Sequence, residues 1–207
     1  MRIIETDADV AEGAAWLFAN CPYMARALSI TGQPPLRRRA DGFAALLQAI
    51  VSQQVSVAAA KGIWARVEAA GLNTEAGVLA ATDEDLKSAG LSRPKVRYAR
   101  AIAEARLDYG ALRVMEEAEA VAMLTAIPGV GRWTAEIYLM FAVGRPDVFA
   151  AGDLALREAA RDLYGMEDRP TIPELATMAE AWSPWRAVAA RVLFTYYHHI
   201  KGREGAA

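Results

Sequence analysis

Apolar side chains recur every three to four residues along nearly the whole chain, and this spacing is the feature that most restricts the fold. It places the apolar residues on one face of successive helices, and no stretch of useful length alternates as a strand would. Roughly one residue in five is alanine, the strongest helix former. We therefore expect an all-α fold. The clearest helices are predicted at about 41–52, 55–70, 82–89, 94–107, 117–126, 131–143, 153–163 and 184–200.

Residues typical of helix ends mark several of these segments. Gly71 and Gly90 follow apolar helical stretches, as C-terminal stops do. The tetrad from Thr82 to Asp85 resembles a capping box. The candidate N-caps are Asp41, Thr82, Ser92, Asp153 and Ser183. The prolines that suit a first helical turn are Pro94, Pro173 and Pro184.

Charge and cysteine content exclude several classes of protein. The chain has 23 Lys and Arg against 25 Asp and Glu, so any nucleic-acid site must be a local patch. The single cysteine, Cys21, excludes a disulfide framework, a four-cysteine zinc site and an iron–sulfur cluster. The acidic first residues do not fit a signal peptide, and no apolar run approaches the ~20 residues of a membrane span. We expect a cytoplasmic protein, nucleoid-associated if bacterial.

The most informative segment runs from Leu124 to Ala135 and reads LTAIPGVGRWTA. One helix ends, Gly129 and Gly131 flank a valine, and another helix begins at once. The glycines permit backbone angles and close approaches that a Cβ would prevent. The backbone amides from Gly129 to Thr134 then lie at a helix N-terminus, where a phosphate can bind. The plainer alternative is an ordinary helical hairpin with a glycine turn, and two glycines alone do not decide between them.

Four segments together resemble one family, the helix-hairpin-helix DNA glycosylases. The string IPGVG at 127–131 is similar to the family's hairpin, and FAAGDLALR at 149–157 to the segment that carries its catalytic aspartate about twenty residues later. The segment 49–58 resembles the turn that inserts a side chain into DNA, and 90–97 resembles the second DNA-facing loop. The string GRWT at 131–134 is most similar to the 3-methyladenine DNA glycosylase II branch. The resemblance runs from about residue 41 to 200 and indicates the compact form without an N-terminal β domain.

The resemblance implies a catalytic role for Asp153. A helix N-terminus favours the ionised carboxylate, which can stabilise an oxocarbenium-like transition state and orient a water molecule. It also implies a base pocket formed by Trp133, Phe194 and Ile137, where a tryptophan face attracts a cationic alkylated purine. Core packing is the alternative for Trp133. Since bifunctional relatives carry a Schiff-base lysine at the position of Trp133, no lyase activity is expected.

The resemblance also implies how DNA is held. Gln54 would fill the hole left by the everted nucleotide, and Leu91 would part the opposite strand; the alternatives are a solvated turn residue and an ordinary apolar loop contact. The backbone of DNA would be held at Gly129, Val130, Gly131 and Thr134 of the hairpin. A phosphate track is predicted at Arg93, Lys95 and Arg97, for which a solvated helix face is the alternative.

Cofactor needs are expected to be small. Hairpins of this family can hold a monovalent cation, Na⁺ or K⁺, through backbone carbonyls, here those of Thr125, Ile127 and Val130. No other cofactor is expected to be required.

The predicted architecture is two helical lobes. A helical-barrel lobe spans 36–145 and contains the helix-hairpin-helix at about 117–143, while 1–35 plus 146–207 form a second lobe in which Asp153 faces the hairpin across a cleft. The expected function is that of a monofunctional glycosylase, a monomer that binds duplex DNA and excises alkylated purines in base excision repair. The alternatives are the same fold acting on another damaged or mismatched base, and a non-catalytic DNA-binding hairpin module.

Overall fold

The computed structural model describes residues 2–204 of the chain. Over this range it contains α-helices, one short 3-10 helix (Ala111–Arg113) and one π-helical turn (Leu139–Val143), and no β-strand, so the predicted all-α class is confirmed. None of the helices in this range is long and apolar enough to span a membrane. The α-helices in chain order are α1 (Asp7–Asn20), α2 (Pro22–Thr31), α3 (Phe43–Val51), α4 (Val57–Ala69), α5 (Glu75–Ala80), α6 (Asp83–Ser88), α7 (Arg93–Ala105), α8 (Glu117–Thr125), α9 (Arg132–Tyr138), α10 (Leu154–Tyr164), α11 (Ile172–Glu180) and α12 (Arg186–Glu204).

The chain divides into two compact units. The central unit is Arg39–Val143, and the terminal unit combines residues 2–38 with 144–204. The boundaries expected from the sequence, at 36 and 145, lie close to these. Residues 1 and 205–207 of the predicted second lobe lie outside the described residues.

Helix α12 forms the middle of the terminal unit and packs against α1, α2 and α10. Every residue from Ala187 to Leu193 is fully buried, so this helix is covered on all sides, as a central helix must be. The buried stretch includes Arg191, whose guanidinium donates to the carbonyl oxygens of Leu36 (2.9 Å) and Ala187 (2.8 Å). Burial, together with the charges of Arg37 and Arg38, lowers the pKa of Arg191 to about 10.

Helices α3 and α7 form the middle of the central unit. Helix α7 packs against both α3 and α5, and α3 also packs against α4 and α9. The buried face of α7 carries Val96, Ala99 and Ile102, and the basic residues Arg93 and Arg97 of this helix are exposed. Because α3 and α7 pack against each other, the turn after α3 and the start of α7 belong to the same packed unit.

Several predicted helix ends are confirmed and three are wrong. Thr82 forms the predicted capping box with Asp85 at the start of α6. Asp41 is not a cap, because Gly42 occupies the N-cap of α3 and the Asp41 carboxylate accepts from Arg113 at 2.7 and 2.9 Å. Ser183 is not a cap either, since its hydroxyl donates to Asp147 at 2.8 Å and α12 begins only at Arg186. Pro184 consequently precedes that helix instead of lying in its first turn.

Four helices are absent from the sequence prediction: α1, α2, α5 and α11. Two of them begin with a capping box that the sequence contains, Thr6 with Asp9 in α1 and Thr171 with Glu174 in α11. These capping boxes are the sequence signal from which α1 and α11 could have been predicted. Helix α5 has six residues, too short for a helical period to be recognised, and it lacks the capping box that marks α6, a helix of the same length.

Candidate functional site

The hairpin between α8 and α9 is a tight turn built on buried apolar residues. Ile127 and Val130 are buried, and the Val130 N–H donates to the Ile127 carbonyl at 3.0 Å. Gly129 has φ of 89°, and a Cβ there would lie 2.5 and 2.6 Å from two ring carbons of Tyr98. Both the backbone angle and the aromatic ring therefore require glycine at this position.

Gly131 has a different role, because it is the N-cap of α9. Its φ is −79° and a Cβ would meet nothing within 4 Å. The first N–H groups of α9 lie beyond the reach of a carbonyl in their own helix, and Gly131 and Arg132 are exposed. This is the part of the turn that is open to a phosphate. The Val130 N–H is not open to a phosphate, because it donates to the Ile127 carbonyl within the turn.

Thr134, predicted to contact the DNA backbone, has a buried side chain. Its hydroxyl oxygen accepts from the Gln53 amide at 3.0 Å, and the same amide nitrogen lies 3.3 Å from the Gly129 carbonyl oxygen. The Thr134 side chain therefore connects the hairpin to the turn after α3. The predicted contact of the Thr134 backbone N–H with the DNA backbone stays a prediction. Sequence reasoning missed Gln53.

Gln54 lies at the turn between α3 and α4 and is exposed. Its φ is 56°, in the left-handed region, where a residue other than glycine or asparagine is uncommon. The exposure fits the predicted insertion into DNA, which stays a prediction.

The predicted phosphate track is only partly exposed. Arg93 and Arg97 are exposed on α7. Lys95 is not part of such a surface, because its ammonium donates to the carbonyl oxygens of Val51 (2.7 Å) and Gln53 (2.8 Å). Burial lowers the pKa of this ammonium group. Its prediction as a phosphate ligand is wrong, since its hydrogen-bonding capacity is directed into the protein.

Leu91, the predicted second wedge, is a core residue with 3% of its surface exposed. The N–H groups of Gly90 and Leu91 donate to the carbonyls of Lys87 and Leu86, which is the pattern of a Schellman motif at the end of α6. Leu91 occupies the position whose apolar side chain packs back on the helix in this motif. The wedge prediction is wrong, and the ordinary apolar contact is correct.

Trp133 and Ile137 lie four residues apart on α9, so they share one face of that helix. Trp133 is 41% exposed, which excludes the core-packing alternative, and Ile137 is half-buried. Glu136, which sequence reasoning missed, is buried on the same helix and bonds to the Arg132 guanidinium at 2.7 Å. Burial raises the pKa of Glu136, and Arg132 acts in the opposite direction.

Asp153 is the N-cap of α10 in the terminal unit. One carboxylate oxygen accepts from the N–H groups of Ala155 (2.8 Å) and Leu156 (3.3 Å), and the Asp153 N–H donates to the Ala150 carbonyl. The preceding segment, 148–151, is buried, so the carboxylate is fixed by the core on one side and by the helix on the other. The carboxylate therefore lies at the end of α10 where the first backbone N–H groups of the helix are available as donors.

Phe194 belongs to the terminal unit, like Asp153, whereas Trp133 and Ile137 belong to the central unit. Phe194 is half-buried on α12, and the Arg37 guanidinium carbon lies 5.8 Å from its ring centroid. The base pocket that the sequence predicts from Trp133, Phe194 and Ile137 stays a prediction.

The carbonyls predicted to hold a monovalent cation lie in and just before the hairpin turn. That of Ile127 accepts the Val130 N–H, which leaves one lone pair on the carbonyl oxygen. Among residues 2–204, no group of three or more His, Cys, Asp or Glu side chains is arranged to hold a metal ion.

The hairpin and the fixed aspartate both lie within a segment that matches a known family. Residues 47–187 match the model of the HhH-GPD superfamily base excision DNA repair protein. The chain belongs to this superfamily.

Several of the proteins that it resembles are named as glycosylases or glycosidases of 3-methyladenine in DNA. DNA-3-methyladenine glycosylase 1 of Schizosaccharomyces pombe is 33% identical over 159 residues, 72% of this chain and 69% of that protein. The crystal structure of a DNA-3-methyladenine glycosidase from Bacillus halodurans superimposes with a TM-score of 0.83 at 32% identity, covering 98% of this chain and 95% of that one. The 3-methyladenine DNA glycosylase of Schizosaccharomyces pombe in complex with abasic DNA gives a TM-score of 0.76 at 26% identity, over 88% and 95% of the two chains.

Proposed function

We propose that this protein is a monofunctional DNA glycosylase that removes alkylated purines of the 3-methyladenine type from duplex DNA, in base excision repair. The observation that carries the proposal is Asp153, a carboxylate fixed at a helix N-terminus by two backbone N–H groups, at the family's spacing after the hairpin. The names of its relatives support the substrate class.

The DNA backbone is held at the hairpin, through Gly129, Gly131 and the first turn of α9, and along α7 by the exposed Arg93 and Arg97. Gln54 enters the base stack and fills the space of the everted nucleotide. The complex of the Schizosaccharomyces pombe relative with abasic DNA supports DNA as the binding partner. Since the chain has a net charge of −2, its affinity for DNA rests on these local contacts.

The reaction breaks the bond between C1′ of the sugar and N9 of the purine. The electron pair of that bond leaves with the base, so a cationic 3-methyladenine departs as a neutral molecule and positive charge develops on the sugar. The Asp153 carboxylate stabilises this charge and orients a water molecule, whose oxygen bonds to C1′ while its proton passes to the carboxylate and then to solvent. The products are an abasic site and the free base.

Base selection rests on the aromatic ring of Trp133, supported by Ile137 and Phe194. A cationic purine is attracted by the face of a tryptophan more strongly than a neutral one is. With tryptophan at the position of the family's Schiff-base lysine, the protein acts by hydrolysis and has no lyase activity. It acts as a monomer in the cytoplasm without an organic cofactor. The backbone carbonyls of Thr125, Ile127 and Val130 would hold a monovalent cation, whose charge would attract a DNA phosphate.

A base-release assay tests this proposal. Duplexes that contain 3-methyladenine, 7-methylguanine, ethenoadenine, 8-oxoguanine or a mismatch are incubated with the protein, and free bases are separated by chromatography. We expect release of the alkylated purines, and a decrease by several orders of magnitude in Asp153→Asn, which keeps the shape of the side chain and removes its charge. Release of 8-oxoguanine or a mismatched base alone would favour the same fold acting on another lesion. Excision by Asp153→Asn within tenfold of wild type would refute the catalytic role.

A further inference from the structure

Gln53 forms hydrogen bonds through both its side-chain amide and its backbone carbonyl. Its side-chain amide nitrogen lies 3.0 Å from the Thr134 hydroxyl oxygen and 3.3 Å from the Gly129 carbonyl oxygen, so it reaches both sides of the hairpin turn. Its backbone carbonyl accepts from the Lys95 ammonium at 2.8 Å. The turn after α3 is thereby joined to the hairpin and to α7 through one residue.

The bond from Lys95 acts on the peptide group that joins Gln53 to Gln54. This peptide group fixes one side of the φ rotation of Gln54, which has the left-handed value of 56°. A residue with a Cβ pays on the order of 1 kcal/mol in this region, so its conformation persists only where the surrounding contacts hold it. The second bond of Lys95, to the Val51 carbonyl, holds the end of α3 as well.

The position of Lys95 in its own helix is also informative. It lies in the first turn of α7, where a positive charge opposes the helix dipole. Its ammonium satisfies two carbonyls that have no partner in the helical pattern of α3. Lys95 therefore stabilises the turn after α3, although its positive charge is unfavourable at the N-terminus of α7.

We infer that Gln53 and Lys95 are positioning residues that preset Gln54 for insertion into DNA and fix the inserting turn relative to the hairpin. This inference rests on the proposed function, in which Gln54 enters the base stack. Because Gln53 links the two DNA-contacting loops, binding of the phosphate backbone at the hairpin and insertion of Gln54 occur in one fixed geometry. Neither Gln53 nor Lys95 contacts DNA in this scheme.

The test compares Lys95→Met and Gln53→Met with Arg93→Met. All three replace a long polar side chain by a flexible apolar one, and Lys95 and Arg93 lose the same charge from the same turn of α7. The DNA probe is a duplex with an abasic-site analogue and a neighbouring 2-aminopurine, whose fluorescence reports base unstacking without any chemistry. Affinity is measured against salt concentration, and excision of 3-methyladenine is measured in single turnover at saturating protein.

We expect Lys95→Met and Gln53→Met to reduce the 2-aminopurine signal of the saturated complex and to slow excision by about tenfold, because a displaced group loses its alignment. The slope of log affinity against log salt concentration remains that of the wild type in both. Arg93→Met is expected to reduce this slope by about 0.9, the value for one phosphate contact. In a Gln54→Gly background, where glycine adopts the left-handed angle freely, Lys95→Met should cause little further loss.

Three results would overturn the inference. One is a salt slope in Lys95→Met that falls as far as in Arg93→Met, which makes Lys95 a phosphate ligand. Another is wild-type unstacking and excision in folded Gln53→Met. The third is a full additional loss from Lys95→Met in the Gln54→Gly background. Since the unstacking signal needs no base release, a wild-type protein that inserts Gln54 but releases no base refutes the proposed function and leaves this inference standing.

Discussion

At the scale of single residues, Trp133 carries the expected selectivity for damaged bases. It is a large aromatic side chain in the first turn of α9 with 41% of its surface exposed. Burial of such a ring is favourable, so its exposure beside the hairpin has a cost in the folded protein. A stacked cationic purine would offset that cost through both contact area and the charge of the base.

We predict that Trp133→Ala loses about 1–3 kcal/mol of transition-state binding on a cationic lesion, because it removes the ring area and the quadrupole together. Trp133→Phe keeps much of the area and should lose less. The loss should be larger for 3-methyladenine than for neutral ethenoadenine. The measurement is kcat/KM for both lesions in both variants at one salt concentration. Equal losses on the two lesions would reduce Trp133 to a pocket wall of suitable shape.

The residue scale is also where sequence reasoning is least reliable. The side chain of Lys95 bonds to carbonyls more than forty residues away, at Val51 and Gln53, and no local pattern reveals this. Leu91 is different, because Gly71-Leu72 ends α4 with the same two hydrogen bonds and the same buried leucine as Gly90-Leu91 ends α6. A glycine followed by an apolar residue at a helix end was therefore a local signal for burial.

At the scale of elements, the hairpin was predicted correctly because its information is local. A helix end, a glycine with positive φ and a glycine N-cap follow one another within a few residues, and each leaves its residue type in the sequence. Asp153 was predicted as an N-cap for the same reason. The sequence did not reveal that the two hairpin glycines have different structural roles. Gly129 has a positive φ and packs against Tyr98, whereas Gly131 is the N-cap of α9.

We predict that Gly129→Ala and Gly131→Ala have different effects. A methyl group at Gly129 meets the Tyr98 ring and a φ of 89°, so Gly129→Ala should lower the free energy of unfolding by about 1–3 kcal/mol. A methyl group at Gly131 has open space and an ordinary φ, so Gly131→Ala should leave stability within about 1 kcal/mol of wild type. The same methyl group crowds the expected phosphate position.

Urea denaturation and binding to an abasic-site duplex separate the two glycines. Gly131→Ala should unfold at nearly the wild-type urea concentration and bind DNA more weakly. The interpretation of the hairpin fails if Gly131→Ala binds with wild-type affinity, or if Gly129→Ala is as stable as wild type.

At the scale of the whole molecule, the terminal unit is built from both ends of the chain. Helix α1 near the N-terminus packs against α12 near the C-terminus, and residues 39–143 of the central unit lie between them in the sequence. The sequence indicates the helices of such a unit but not their partners, because nothing local records which distant helix covers an apolar face. The expected arrangement of two lobes came from the resemblance to a family and not from any local pattern.

Gly13 shows how closely the two ends of the chain approach. It lies inside α1, where glycine is otherwise unfavourable, and a Cβ there would lie 2.6 Å from Val188 and 2.7 Å from Trp185. Gly62 is also inside a helix, α4, but its Cβ would meet only the flexible end of Arg66 at 3.7 Å. The two positions therefore form a matched pair in which only the packing differs.

We predict opposite effects for the two Gly→Ala substitutions. Gly62→Ala should raise the free energy of unfolding by about 0.5–1 kcal/mol, because alanine restricts the unfolded chain and favours the helix. Gly13→Ala gains the same helix propensity, but its methyl group must displace a buried valine or tryptophan and should cost about 1–3 kcal/mol net. Thermal and urea unfolding of both variants measure the difference. A Gly13→Ala protein as stable as Gly62→Ala would mean that α1 and α12 can separate without cost, and the close approach of the chain ends would then not be a source of stability.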